Sequence, residues 1–329
     1  MILQRTIVII AGSTRQFARG LLALLLLATP VVQADVALYQ AAVPLRSTAE
    51  ADRAAAFAEA LKAASVRASG RREAGESPAV QAAAADPSRY VQQYATTTDR
   101  MLKVGFDARA MEQLLQQAGL PLWPAERPKT TVLLFVAAVA GGARAVTAAE
   151  RPPERGELER AAQLRGVPLA WPTETVDPAV ARSRAAAAGS SGAVLVGLPG
   201  AGGFEWTFGH AGQTARGQGG PTAGLGLAAD TLAARYAPGS TRGLNTVVVR
   251  IGGLDGVRAY AALTSYLEGL SLVRSVSLRE LSGSTVLLDL GVRGDLELLQ
   301  RIFALDGRIV AAPRGAESAP ESPDLLWQP

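Results

Sequence analysis

The run "TTVLLFVAAVA" at residues 130–140 constrains the fold more than any other stretch. It is apolar without alternation, so a strand built from it must be buried on both faces, and only helices on both sides of a sheet provide that. The sequence that follows supplies them. "ERGELERAAQLRG" places Leu158, Ala161, Ala162 and Arg165 in helical register and stops at Gly166; "VPLAWP" is a short strand; "DPAVARSRAAAAG" has Asp177 at a cap and Pro178 at the first helical position. "AVLVG" is the third strand. Strands separated by helices predict an open α/β sheet over a central block, 128–240, closed by the helix "TAGLGLAADTLAARYA".

After "AVLVG" comes "LPGAGGFEWTFGH", which raises the question of a phosphate loop. Gly197 and Gly202 have the required spacing, but Gly203 and Phe204 stand where Lys and Ser/Thr are needed, and no helix follows. Phe204, Trp206 and Phe208 alternate with Glu205, Thr207 and Gly209, so the glycines predict a hairpin connection rather than a nucleotide site. Because a two-stranded ribbon seldom buries a whole aromatic face unaided, Phe204, Trp206 and Phe208 are the expected partner-binding residues.

The block before it, 35–127, predicts an α+β domain. "VALYQAAVPL" reads as a strand, Ser47 or Thr48 caps a helix from Ala49 to Ser69, and Gly70 ends it. Ser77-Pro78 opens a second helix. "SRYVQQYATTTDRMLKVGFD" begins as a turn or helix, with Tyr90 and Tyr94 one helical turn apart beside Arg89, and becomes a strand through Met101, Val104 and Phe106. Asp107 caps a helix with Met111, Leu114, Leu115 and Ala118 on one face. In "LPLWPAERP", Trp123 is expected to plug the join between the first two blocks.

The third block, 241–313, holds a weak repeat. "NTVVVRIGG" at 245–253 aligns with "STVLLDLGV" at 284–292, each followed by an Asp and a helix, and the order β-α-β-β-α-β predicts a ferredoxin-like unit. Residues 314–329 are rich in Pro, Ser and Glu and read as a disordered tail, with Leu325, Leu326 and Trp327 as a small apolar cluster.

Residues 1–34 carry Arg5, Arg15 and Arg19, then "LLALLLLATPVV" and "VQA-DV", the pattern of a secretory signal cut after Ala34, and so predict export to the periplasm with no membrane span after cleavage. Without this segment, 30 basic residues face 29 acidic ones. Only three lysines occur, so the basicity is arginine, which together with the abundant alanine looks like coding bias rather than a nucleic-acid surface. There is no cysteine, and the single histidine, His210, sits in the aromatic strand and is expected to be structural and partly exposed. Asp99, Asp107, Glu205, Asp255 and Asp295 form no defined acid pair, three of them being expected helix caps: Asp107, Asp255 and Asp295. No catalytic residue, metal ligand or cofactor site is assigned.

"LYQAAVPL", "RYVQQYATTTD", "LKVGFDARAMEQLLQQAGLPLWPAERPKTTVLLFVA", "AVLVG", "LAARYA" and "NTVVVRIGGL" resemble the domain of unknown function 2066 family, secreted proteobacterial proteins without an assigned activity. The central block is similar at fold level to the amino-terminal domain of the translocation protein TolB. The expectation is a non-enzymatic envelope protein that binds a protein partner. The alternatives are a small-ligand receptor, favoured by a deep apolar pocket between the first two blocks, and a carboxylate-dependent hydrolase of envelope substrates.

Overall fold

The computed structural model describes residues 38–138, 142–237, 244–313 and 323–328. The segment 1–34, read above as a secretory signal, and most of the Pro/Ser/Glu-rich segment lie outside the described residues. The described residues form three sheets, all with helical cover, and the chain is a mixed α and β protein.

The first block builds β1 (Gln40–Pro44), α1 (Glu50–Ser69), α2 (Pro78–Ala84), β2 (Val91–Thr96), β3 (Met101–Phe106) and α3 (Ala108–Gln117). Its sheet is antiparallel in the order β1-β3-β2. Val43, Leu102, Val104 and Phe106 line the sheet side of a core completed by Leu61, Met111 and Leu115. The second half of α1 is unusual for a core helix in being small: Ala60, Ala64, Ser65, Ala68 and Ser69 are all fully buried. The hydroxyls of Ser65 and Ser69 donate one turn back to Leu61 O and Ser65 O, which satisfies them inside the helix. Small side chains therefore allow close backbone approach here.

Two expectations for this block fail. Ala49 stands at the N-cap of α1 with no side-chain cap bond, so neither Ser47 nor Thr48 caps it. "VQQYAT" is not helical but forms β2, a hairpin partner of β3, so Tyr90 and Tyr94 do not share a helical face. Tyr94 is half-exposed, with its ring edge-on to Phe57 at 5.1 Å. A strand with exposed residues on both faces carries no apolar alternation, and pairing with β3 alone makes it a strand.

The central block contains β4 (Lys129–Ala137), β5 (Ala143–Ala145), α4 (Pro153–Arg165), β6 (Leu169–Ala170), α5 (Pro178–Ala186), β7 (Gly192–Gly200), β8 (Gly203–His210), β9 (Gln213–Gly219) and α6 (Pro221–Tyr236). The sheet order is β5-β4-β7-β8-β9, with β6 also on β4; β6, β4 and β7 are parallel, and β5, β8 and β9 are antiparallel to their neighbours. As expected, β4 is buried on both faces: Val132 and Leu134 face the α4/α6 side, and Leu133 and Phe135 face Ala181 and Ala185 of α5. The glycine loop is a hairpin, with Gly200 opposite Gly203 and only Ala201 and Gly202 between.

The third block runs β10 (Leu244–Gly252), α7 (Gly256–Glu268), β11 (Val273–Ser282), β12 (Thr285–Arg293), α8 (Leu296–Asp306) and β13 (Ile309–Ala311). The two repeat segments, β10 and β12, lie side by side and antiparallel. The tail reading needs correction at its end. Leu325–Trp327 form β14, which sits between β10 and β13 in the order β11-β12-β10-β14-β13. Leu325 and Trp327 are buried, and the Trp327 ring lies 5.4 Å from Tyr266. Polar composition upstream concealed a three-residue apolar strand with a slot built for it.

No helix among the described residues is long and apolar enough to cross a membrane. If β14 is structural, Trp327→Ala will lower stability by about 3 kcal/mol, the usual cost of emptying a buried aromatic site. A loose tail would leave the urea midpoint unchanged.

Candidate functional site: the cleft between the first and central blocks

Helices end with unpaired carbonyls, and two of these ends meet here. α1 ends at Gly70 and α4 at Gly166, both left-handed with φ of 68°. The segment 121–128 crosses between them. Trp123 is fully buried and its backbone N–H donates to Ala68 O at 2.7 Å. Arg127 follows, its guanidinium 3.9 Å from the centre of the Trp123 ring. Its Nε donates to Pro124 O (2.9 Å), Nη1 to Gly166 O (2.7 Å) and Arg165 O (3.3 Å), and Nη2 to Arg67 O (2.8 Å) and Trp123 O (3.3 Å). All five donors of the planar fork are therefore used on backbone carbonyls.

These carbonyls include the negative ends of two helix dipoles, which is what makes a buried cation tolerable. Burial still pushes the Arg127 pKa down, and the neighbouring Arg67 charge adds to that. Burial alone lowers Arg67. Arg67 donates to Gln40 O at 2.8 Å and to Gln163 O, while Arg165 donates to Gly70 O at 2.9 Å and pairs with Asp230 of α6 at 2.5 Å. The three arginines stitch α1, α4 and α6 together through chain ends. Trp123 thus does plug the join between the blocks, as expected.

The same segment reaches the third block. Ala125 N donates to Ser271 Oγ at 3.0 Å, and Glu126 accepts from Ser271 N (2.8 Å) and Ser271 Oγ (2.6 Å). From α3, the largely buried Glu112 pairs with Arg274 and, at 2.5 Å, Arg293.

Beside the arginine cluster a cleft of about 500 Å³ opens between the two blocks. Leu38, Val167, Leu169 and Trp171 give it apolar walls, with Arg67 and Gln163 at its polar side. Its carboxylate, Glu159, is committed to Arg155 at 2.8 Å, and Arg155 in turn lies over Trp171 at 4.4 Å. The cleft therefore offers shape, an indole and hydrogen-bonding groups rather than an unpaired acid.

The aromatic ribbon does not form a partner surface. Trp206 and Phe208 are buried and Phe204 is half-buried, because α6 lies over this face of the hairpin. Trp206 Nε1 donates to Gly219 O at 3.0 Å, and its ring stands where Gly197 and Gly224 leave room: a Cβ on either would come within 2.3 Å or 2.2 Å of it. Gly197, the first glycine of the suspected phosphate loop, is there for a tryptophan. Alternation located the buried face, but spacing alone did not say that α6 covers it.

Asp107 and Asp295 cap as expected, accepting from Ala110 N and Leu298 N; Asp255 stands at the start of α7 without a side-chain cap bond. Glu205 is exposed, and Asp99 bonds Thr97 in the β2–β3 turn. His210 is buried, its Nδ1 donating to Gly192 O and its Nε2 accepting from the Tyr236 hydroxyl, each at 2.8 Å. The arginine cluster was missed because arginine was set down to composition. The signal was present: Arg165 fell in an apolar helical stripe, and "VRASG" and "QLRG" each put an arginine just before a helix-ending glycine.

A family model described as Domain of unknown function (DUF8605) matches residues 33–124, the first block up to Trp123-Pro124. It carries a different number from the family named above and brings no activity with it. Neither a curated protein nor a solved structure matches the chain.

Two tests follow from this geometry. Gly119 and Gly166 have nearly the same positive φ, 65° and 68°, but a Cβ at Gly119 meets open space while one at Gly166 lies 1.9 Å from Arg127 Nη1. Gly119→Ala should cost about 1 kcal/mol, the backbone term alone, and Gly166→Ala at least twice that; equal losses by urea titration would disprove the contact. Burial also lowers the His210 pKa, so the unfolded chain binds the proton more readily and stability falls as pH drops through about 6.5. The melting temperature should decline between pH 7.5 and 5.5, and His210→Gln should flatten that slope.

Proposed function

We propose that this is a non-enzymatic binding protein of the cell envelope that holds a small amphipathic ligand in the cleft between its first and central blocks. The observation that carries the reading is the cleft itself. Its roughly 500 Å³ falls in the range of small-molecule sites, and it lies between the first two blocks, although with Arg67, Glu159 and Gln163 in its lining it is less apolar than the receptor reading expected. The guanidiniums at its floor are bonded to backbone, so they fix its walls, while Trp171 and Gln163 face a guest. The adaptor reading rested on Phe204, Trp206 and Phe208; with Trp206 and Phe208 in the core, it loses its surface.

Export to the periplasm through the signal at residues 1–34, and kinship with the 2066 family, belong to the same proposal. So do the finer fold readings. The order β11-β12-β10-β14-β13 becomes that of a ferredoxin-like unit once the inserted β14 is set aside, and the parallel β6-β4-β7 core supports the TolB-like comparison.

The test is native mass spectrometry of the exported protein purified without denaturation. A small-molecule adduct is expected, and Gln163→Trp, which fills the cleft from an exposed position, should abolish it while shifting the melting temperature by less than a few degrees. An adduct that persists in Gln163→Trp, or none in either protein, would overturn the proposal.

A further inference from the structure

β14 is an insertion rather than a continuation. The βαββαβ unit from 244 to 311 is complete before residue 325 is reached, yet Leu325–Trp327 enters between its β10 and β13. The segment runs parallel to β10 through Ile251↔Leu325 and Gly252↔Leu326, and antiparallel to β13 through three pairs ending at Ile309↔Trp327. On this side β14 covers two of the nine residues of β10, whereas β12 pairs with eight of them. The slot is shaped for its occupant. Gly252 leaves room for Pro323 and the Leu326 side chain, where a Cβ would come within 2.8 Å and 3.4 Å, and Gly253 (φ +82°) lies against the Trp327 carbonyl. Tyr266 lies tilted against the indole, and Leu325 is buried.

β14 is held by five register pairs and by the flanking bonds Asp324 N to Arg250 O, Ala312 N to Asp324 O and Gln328 N to Arg308 O, and its departure leaves two open ladder edges and an aromatic socket. Such edges are refilled by whatever fits. The ligand that demonstrably fits is this chain's own segment, so the partner of matching chemistry is a second copy. Exchange costs little, because closed and exchanged forms make the same contacts and differ only in the tether and the concentration. Residues 312–324, with prolines at 313, 320 and 323, are long enough to span about 40 Å when extended.

We propose that the slot between β10 and β13 is a strand-acceptor site that receives the Leu325–Trp327 segment of a second copy, giving a strand-exchanged dimer at high protein concentration. The proposal is independent of the cleft. It makes the third block the self-association module and Trp327 its anchor.

The chain has no cysteine, so introduced thiols report alone. Val310 and Leu326 are register partners on the outward side of the slot. Chains carrying Val310→Cys and Leu326→Cys separately are incubated together at rising concentration, diluted and oxidised. The expected product is a dimer linked 310 to 326, identified by peptide mass, with a yield that rises with the incubation concentration and is lost when Trp327→Ala is added to the Leu326→Cys chain. The double variant, oxidised while dilute, should close within one chain. No 310–326 dimer at any concentration, with the double variant closing only within itself, would show a fixed strand and overturn the proposal. A mixed dimer indifferent to Trp327→Ala would also overturn it, since the link would then form without the slot.

Discussion

One guanidinium, that of Arg127, gives its five N–H groups to carbonyls from three places: the last turn of α1, the last residues of α4, and its own approach at Trp123 and Pro124. Charged donors to neutral acceptors contribute about 1.5–3 kcal/mol each when well made, and leaving the carbonyls unpaired costs a comparable amount. No other side chain could do this job. Lysine has a point charge and three donors, too few and wrongly placed for a planar set of five acceptors. The two blocks meet where they do because two helix ends require a common donor.

The same device recurs. Arg67 reaches the last turn of α4 through Gln163 O, Arg165 reaches Gly70 O at the end of α1, and Arg301 of α8 donates to Arg235 O in the last turn of α6 at 2.7 Å. In each case a guanidinium from one element closes the negative end of another, where the dipole favours a cation. Trp123 excludes water from the first of these joins, and Gly70 admits it: a Cβ there would sit 2.5 Å from the indole. Glu126, next to Arg127, carries the connection to Ser271 in the third block. The segment 121–128 is the part of the chain through which the three blocks are joined, and the cleft is the space left beside it.

How much of this was legible in the sequence depended on the kind of signal. Apolar period and glycine stops found the strands β4, β7, β10 and β12 and the helices α1, α3, α4 and α8, because burial imposes those patterns directly. The strand β2 was illegible: its side chains face solvent, so nothing in "VQQYAT" records its pairing. Trp327 was legible as apolar but not as a strand, since its slot is made jointly by β13 and by β10, which lies some seventy positions away. Phe204, Trp206 and Phe208 were assigned the correct face and the wrong neighbour. Arg127 left the least trace, because a residue that bonds to backbone needs no particular side chain opposite it, and pattern reading works by pairing side chains. The positions of Gly70 and Gly166 before helix breaks were the available hint.

The central claim is that Arg127 couples the first block to the central one as a single folding unit. Equilibrium urea unfolding tests it with two probes on the same samples: far-ultraviolet circular dichroism and the fluorescence of tryptophan, three of the four of which (Trp171, Trp206 and Trp327) lie in the central and third blocks. The two transitions should coincide in the natural chain, as they do for one cooperative unit. In Arg127→Met they should separate, with part of the ellipticity lost before most of the fluorescence change. Coincident transitions with an unchanged midpoint in Arg127→Met would contradict the account and reduce the five hydrogen bonds to decoration.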